Sequence, residues 1–273
     1  MMMVRSRSPS ASMVSIQIGG VSVGIVSDST AFLEMLERRY AGFVVPAGSS
    51  DFELEVVLHE PLETAGADEH VRVTRLREDW VLQRGDFYAT WNPSTARGKV
   101  FQSNNPYAID SVLRIVHTLI LAPRGGFLVH AASSIRNGCA FLFAGISGSG
   151  KTTISRLAPA DAKLLTDEIS YVRRDADQYW ACGTPFAGEL ARVGENLSAP
   201  VKILFLLQQG PENRIAPVAS ADAARLLLRH ILFFAADPDL VKLVFQSACE
   251  FAEKVPVRRL CFVPDQRVWE MIG

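Results

Sequence analysis

The sequence predicts an α/β fold, with a mixed, largely β core, a glycine-rich loop between a strand and a helix, and a β-rich N-terminal subdomain. Three observations predict it. Short apolar runs such as Cys139–Ala144 have the texture of buried strands. Stretches with helical apolar spacing, Asp110–Leu121 foremost, fall between them. Gly145–Thr152 has its glycines where a strand-to-helix loop needs them. With 273 residues, the chain can bury a large core, and the expected organisation is a disordered tail over 1–12, the β-rich subdomain over 13–122 and the loop-bearing domain over 123–273.

Taken in order, Val14–Val26 alternates apolar and small residues around Gly19 and Gly20, the pattern of a hairpin. Ser27, Asp28, Ser29 and Thr30 offer N-caps for a helix through Tyr40, with Phe32, Leu33, Leu36 and Tyr40 on one face. Strands are expected at Phe52–Leu58, His70–Leu76 and Trp80–Arg84, continued by Asp86–Trp91 and Lys99–Gln102. The helix Asp110–Leu121 buries Val112, Ile115, Val116, Leu119 and Ile120 and is ended by Pro123, Gly125 and Gly126. Further strands are expected at Phe127–His130, Cys139–Ala144, Lys163–Leu165, Ile169–Arg173, Val201–Leu207 and Val257–Val263. Helices are expected at Thr152–Leu157, Ala221–Phe234 and Leu240–Glu253.

Composition excludes several functions. Hydrophobic residues make up 48% and charged residues 21%, the proportions of a folded globular chain. A net charge of -1 leaves no electrostatic footprint for nucleic acid or an anionic membrane. Cys139, Cys182, Cys249 and Cys261 are too scattered for a zinc site or a disulfide scaffold, which suits a reducing cytoplasm. No apolar run reaches membrane-span length; Leu226–Ala236, the greasiest stretch, is interrupted by Arg229 and His230. A soluble cytoplasmic protein is expected, with its oligomeric state open, homo-oligomer included.

Gly145-Ile146-Ser147-Gly148-Ser149-Gly150-Lys151-Thr152 matches GxxxxGK[ST], the Walker A pattern, throughout. A chance match of four constrained positions occurs in roughly 1% of chains this long. The physical reading is a nucleotide-phosphate cradle. Glycines let backbone N–H groups turn inward around phosphate oxygens, and a helix beginning near Lys151 adds its positive end. Lys151 is suited to the β- and γ-phosphates, the Thr152 hydroxyl to Mg²⁺, and Ser147, Gly148, Ser149, Gly150 and Thr153 to the phosphate wall. Leu164-Leu165-Thr166-Asp167-Glu168 has the apolar-then-acidic form of a Mg²⁺-organising strand end. Asp167 follows Lys151 by only 16 positions, so the strand right after the loop's helix carries the acids. A simple turn cap is the other reading of Asp167 and Glu168.

His130-Ala131-Ala132, the loop, Leu165–Glu168 and Thr184-Pro185-Phe186-Ala187-Gly188-Glu189 together resemble the HPr kinase/phosphorylase group, of the P-loop superfamily that includes phosphoenolpyruvate carboxykinase. The likeness spans about 127–189 and, more loosely, Val255–Asp265 with Val268 and Trp269. The resemblance implies a mixed-sheet P-loop core and an ATP- and Mg²⁺-dependent kinase acting on a hydroxyl, serine's first among them, of a protein, peptide or small molecule. His130 would match the histidine ahead of the loop, protonated to steady the transferred group; the bland reading is a core histidine. Asp167 would match the first of the family's paired aspartates, as base or Mg²⁺ ligand. Glu168 stands where the second aspartate usually is, which leaves base and metal roles open between the two. Glu189 would match a downstream Mg²⁺-associated glutamate, with a solvated surface glutamate the alternative.

Other residues point nowhere special. His59, His70, His117 and His230 lack metal-ligand spacing, the four Trp are scattered, and Arg225 and Arg229 read as a solvated helix face. Ser133 and Ser134 lack the GxSxG frame of a serine hydrolase. Two further readings stay open: a kinase of a free small molecule such as serine, and a nucleotide-binding accessory protein of a biosynthetic cluster without catalysis.

Overall fold

The computed structural model describes residues 12–48, 50–60, 70–190 and 192–273. The expected tail lies outside these except for Ser12, which opens the first strand. The chain divides into two compact units, the first comprising Val21–Val112 with the chain up to Gln17, the second Ile18–Gly20 with Leu113–Gly273.

The first unit is one mixed sheet with a helix. Its strands are β1 (Ser12–Ile18) and β2 (Val21–Ser27), then, after helix α1 (Thr30–Arg39), β3 (Val44–Val45), β4 (Phe52–Leu58), β5 (Arg72–Leu76), β6 (Asp79–Arg84), β7 (Phe87–Asn92) and β8 (Arg97–Gln102). The order across the sheet is β3-β1-β2-β4-β8-β7-β6-β5. Ser29 caps α1 by accepting from the N–H of Phe32, as its position before an apolar face implies. Helix α2 (Pro106–Leu121) starts four residues before its expected Asp110 because Asn105 accepts from the N–H of Tyr107 and supplies the turn. The break between units falls inside α2, not at 122. Its first turns belong to one core, where Asp110 accepts from Arg39 and Tyr40. Its later turns belong to the other, where Arg114 lies over the Phe186 ring at 4.8 Å.

The second unit holds β9 (Phe127–Arg136), β10 (Cys139–Ala144), α3 (Lys151–Arg156), β11 (Lys163–Thr166), β12 (Ile169–Asp175), β13 (Gln178–Cys182), β14 (Ser198–Gln209), β15 (Arg214–Pro217), α4 (Ser220–Leu228), α5 (Pro238–Lys254), β16 (Val257–Phe262) and α6 (Arg267–Ile272). The two long strands explain its topology. The first half of β9 pairs with β12 and the second with β10. The start of β14 pairs with β13 antiparallel, and its continuation runs parallel to β10. Pairings therefore run full circle through β9, β12, β13, β14 and β10, and β14 continues outward to β16 and β15. The fold is a mixed α/β one, as expected.

The apolar run of β10 is central because both its edges are paired, which is why every residue from Ala140 to Ala144 is buried. Phe141 and Phe143 form a core with Phe205, Ile154, Phe262 and Trp269. The Phe143 and Phe205 rings stack at 5.8 Å, and Trp269 meets Phe143 edge-on at 5.5 Å. The Trp269 indole N–H also donates to the carbonyl of Ile154 at 3.0 Å, tying α6 to α3.

The helix expected over 221–234 ends at Leu228. Among the described residues no strand pairs with 128–130 of β9 on the side away from β12, and the chain after α4 fills that side. His130 donates its N–H to the carbonyl of His230 at 2.7 Å, and Leu232 donates to Leu128 at 2.8 Å. Pairing those backbone groups outweighs the helical periodicity of an apolar stretch.

Candidate phosphate-binding and acidic site

Gly145–Gly150 links the end of β10 to α3, as the motif requires. Gly148 and Gly150 take left-handed backbone conformations, φ 76° and 106°. Gly145 and Gly150 are also sterically fixed. A Cβ on Gly145 would lie 2.2 Å from the Ser149 hydroxyl oxygen, and one on Gly150 would lie 2.7 Å from the Phe262 ring. With only six residues, α3 offers little dipole of its own, so the loop's N–H groups and side chains carry the site.

Lys151 is 8% exposed and donates to the carbonyls of Gly145 at 2.9 Å and Ile146 at 3.2 Å. Burial lowers its pKa, with Glu168 and Glu189 pulling it back up. The Ser149 hydroxyl is buried and has no hydrogen-bond partner among the described residues. An amino group resting on loop carbonyls and an orphaned hydroxyl inside the loop are what a phosphate chain would relieve.

Asp167 and Glu168 form the tip between β11 and β12. Thr166 makes this turn tight by accepting from the N–H groups of Glu168 and Ile169, both at 3.3 Å. The two acids then part company. Asp167 is 2% exposed, and its two oxygens accept from the N–H of Gly188 at 2.9 Å and of Leu190 at 2.8 Å. The Glu168 carboxylate is half-buried and makes no hydrogen bond or ion pair among the described residues. Burial raises its pKa, opposed by Arg114 and Lys151 and reinforced by Asp167 and Glu189.

Glu189 is exposed, yet its carboxylate accepts from the Thr152 hydroxyl at 3.0 Å. The segment carrying it is zipped onto β11: Thr184 donates to the carbonyl of Leu165 at 3.2 Å and Glu195 to that of Leu164 at 2.9 Å. A cleft of about 260 Å³ is lined by His130, Ser147, Gly148, Gly150, Lys151, Thr152, Thr153, Asp167, Glu168, Glu189 and Gln209. Of the residues singled out in the sequence, Gly145 and Ser149 lie within the loop rather than on the cleft wall.

His130 sits where β9 passes from β12 to β10, opposite Ile169. Burial, then Lys151 and Arg114, lower its pKa, so the protonated form expected from the sequence is disfavoured before an anion arrives. Three contributors escaped the sequence reading. Gln209, at the end of β14, donates to the carbonyl of Gly148 at 2.6 Å. Arg114 faces Glu168 and His130 electrostatically from α2. His230 is pushed down by burial, then by His130, Lys151 and Arg229. None carries a local pattern; all three arrive by tertiary folding.

The residues fit Mg²⁺ and a nucleotide polyphosphate. Among the described residues no three His, Cys, Asp or Glu side chains cluster as a protein-only metal cage. Mg²⁺ beside phosphates takes only one or two protein oxygens and completes its shell with phosphate and water, which the Thr152–Glu189 pair can supply.

The unit is a mixed α/β one, with a glycine-rich loop between strand β10 and helix α3 faced by acids from two other segments. Residues 103–273 match the family described as SynChlorMet cassette protein ScmC, and the chain belongs to that family. No curated protein matches it in sequence. Among solved structures it is similar to the Hpr(Ser) kinase/phosphatase from Coxiella burnetii, at 9% identity over 53% of this chain and 90% of that chain; the TM-score of 0.28 makes this a loose likeness. No helix among the described residues is long and apolar enough to cross a membrane.

Proposed function

We propose that this chain is a Mg²⁺·ATP-dependent phosphotransferase of HPr-kinase type, passing the γ-phosphoryl group to a hydroxyl of a protein, peptide or small molecule. One observation carries the reading: a single cleft gathers the Walker A-type loop, His130, Asp167, Glu168 and Glu189 from four separate stretches of chain. The loop N–H groups and Lys151 would hold the β- and γ-phosphates and offset the charge that builds on them during transfer. Bound Mg²⁺, held by Thr152 and Glu189, would supply further neutralisation of phosphate oxygens. The acceptor oxygen bonds to the γ-phosphorus as the bond to the β,γ-bridging oxygen breaks. The hydroxyl proton passes to a carboxylate of the Asp167–Glu168 pair, and ADP leaves with the bridging oxygen. His130, neutral in the free site, would donate a hydrogen bond to the transferred group and gain a proton only as that group's charge raises its pKa.

Transfer of γ-labelled phosphate from Mg·ATP into a lysate of the source organism, wild type beside Lys151→Met, tests this. Label on a gel or in the small-molecule fraction, present only with wild type, is the expected result and sorts protein from metabolite acceptors. Nucleotide binding without transfer in either fraction would favour a non-catalytic accessory role.

A further inference from the structure

Resting on the nucleotide reading above, we infer that Asp167 is a positioning residue: it holds the Gly188–Leu190 segment so that Glu189 meets Thr152, and it leaves Glu168 as the free acid of the pair. Paired acids after a loop of this type invite the assumption that both face the chemistry. The hydrogen bonds say otherwise for Asp167. Its two oxygens are taken by the N–H groups of Gly188 and Leu190, and Glu189 is the residue between those donors. The Glu189 carboxylate in turn accepts from the Thr152 hydroxyl. A continuous line of contacts thus runs from Asp167 through two backbone amides to Glu189 and the loop.

The contact is sterically specified. A Cβ on Gly188 would fall 2.9 Å from Asp167 Oδ2 and 2.8 Å from the Glu168 Cβ, so only glycine lets this segment approach the acidic turn so closely. Freeing Asp167 to ligate metal or take a proton would strand two N–H groups beside a carboxylate that is 2% exposed. Both acids line the cleft, but Glu168 meets no such competition: its carboxylate makes no hydrogen bond or ion pair among the described residues.

The test is a Mg²⁺ titration of fluorescent ADP binding to the full chain, comparing Asp167→Asn, Glu189→Gln, the double variant and Gly188→Ala. Loss of an outer-shell partner costs about 10- to 100-fold in metal affinity. Asp167→Asn, Glu189→Gln and Gly188→Ala should each raise the half-saturating Mg²⁺ concentration about tenfold or more, and the double variant no further than its worse single. Multiplying losses in the double variant would mean that Asp167 acts on the metal independently, and would overturn the inference. Phosphate transfer by Asp167→Asn should recover at high Mg²⁺; a loss that persists at saturating Mg²⁺ assigns the base to Asp167 and also overturns it. Amide hydrogen exchange at Gly188 and Leu190 provides a nucleotide-free readout. Faster exchange in Asp167→Asn supports the anchor and unchanged exchange refutes it, even if wild type binds no nucleotide and the kinase reading fails.

Discussion

Lys151 is the residue on which the nucleotide reading turns, and it was legible from the sequence because a Walker A pattern is local. Eight consecutive positions specify loop, turn and side chain together. Replacing Lys151 with Met removes charge-assisted hydrogen bonds of about 1.5–3 kcal/mol, and fluorescent ADP should bind roughly 10- to 150-fold more weakly. Unchanged affinity would refute the phosphate cradle. Glu168→Gln should keep ADP affinity yet lower transfer by about 10²- to 10⁴-fold, the usual worth of a general base. His117 gives a stability prediction. It is fully buried on α2, against the edge of the Tyr171 ring at 5.5 Å, and burial pushes its pKa down to about 3 from an ordinary 6.5. Below pH 6.5 the unfolded chain takes up a proton the folded chain refuses, so stability falls with acid between about 6.5 and 3, by at most about 1.4 kcal/mol per pH unit. Denaturant melts of His117→Gln should show a shallower acid slope than wild type. The partners Arg114, His230 and Gln209 had no such signature, because a lone Arg, His or Gln means nothing until folding gives it a neighbour.

Among the elements, β10 and α3 were readable because an unbroken apolar run followed by glycines admits few other conformations. The elements missed were short: β3, β13, β15 and α6, each too brief to display a period. Yet α6 matters to the site, since Trp269 is 2% exposed, packs on Phe143 and caps the Ile154 carbonyl beneath the loop's helix. Trp269→Ala should cost about 3–5 kcal/mol in a denaturant melt. It should also weaken ADP binding by loosening α3; a stable variant with normal binding would show that α6 does not support the loop. The overextended helix at 221–234 shows the limit of periodicity. Leu226, Leu227, Ile231 and Phe234 have helical spacing, but the open side of β9 supplied a better partner for the backbone of residues 230–232.

For the molecule as a whole, ligand linkage gives the simplest check. A ligand at 100 times its dissociation constant stabilises the folded state by about 2.7 kcal/mol, which for a domain of this size raises Tm by roughly 5–10 °C. Mg·ADP should produce that shift in wild type, EDTA should reduce it, and Lys151→Met should abolish it. An equal shift in wild type and Lys151→Met would place any bound nucleotide elsewhere. The sequence by itself determined the α/β class, the loop and the identities of its acids, because those are written in short-range patterns of glycine, charge and apolar period. Tertiary structure alone decided that the Asp167 oxygens are taken by the backbone of Gly188 and Leu190 while the Glu168 carboxylate is left free at the same cleft, and that Glu189 reaches Thr152 from 37 residues away. Adjacent acids on one turn can have different partners, and which one meets a backbone amide depends on a segment the chain brings back only after two further strands.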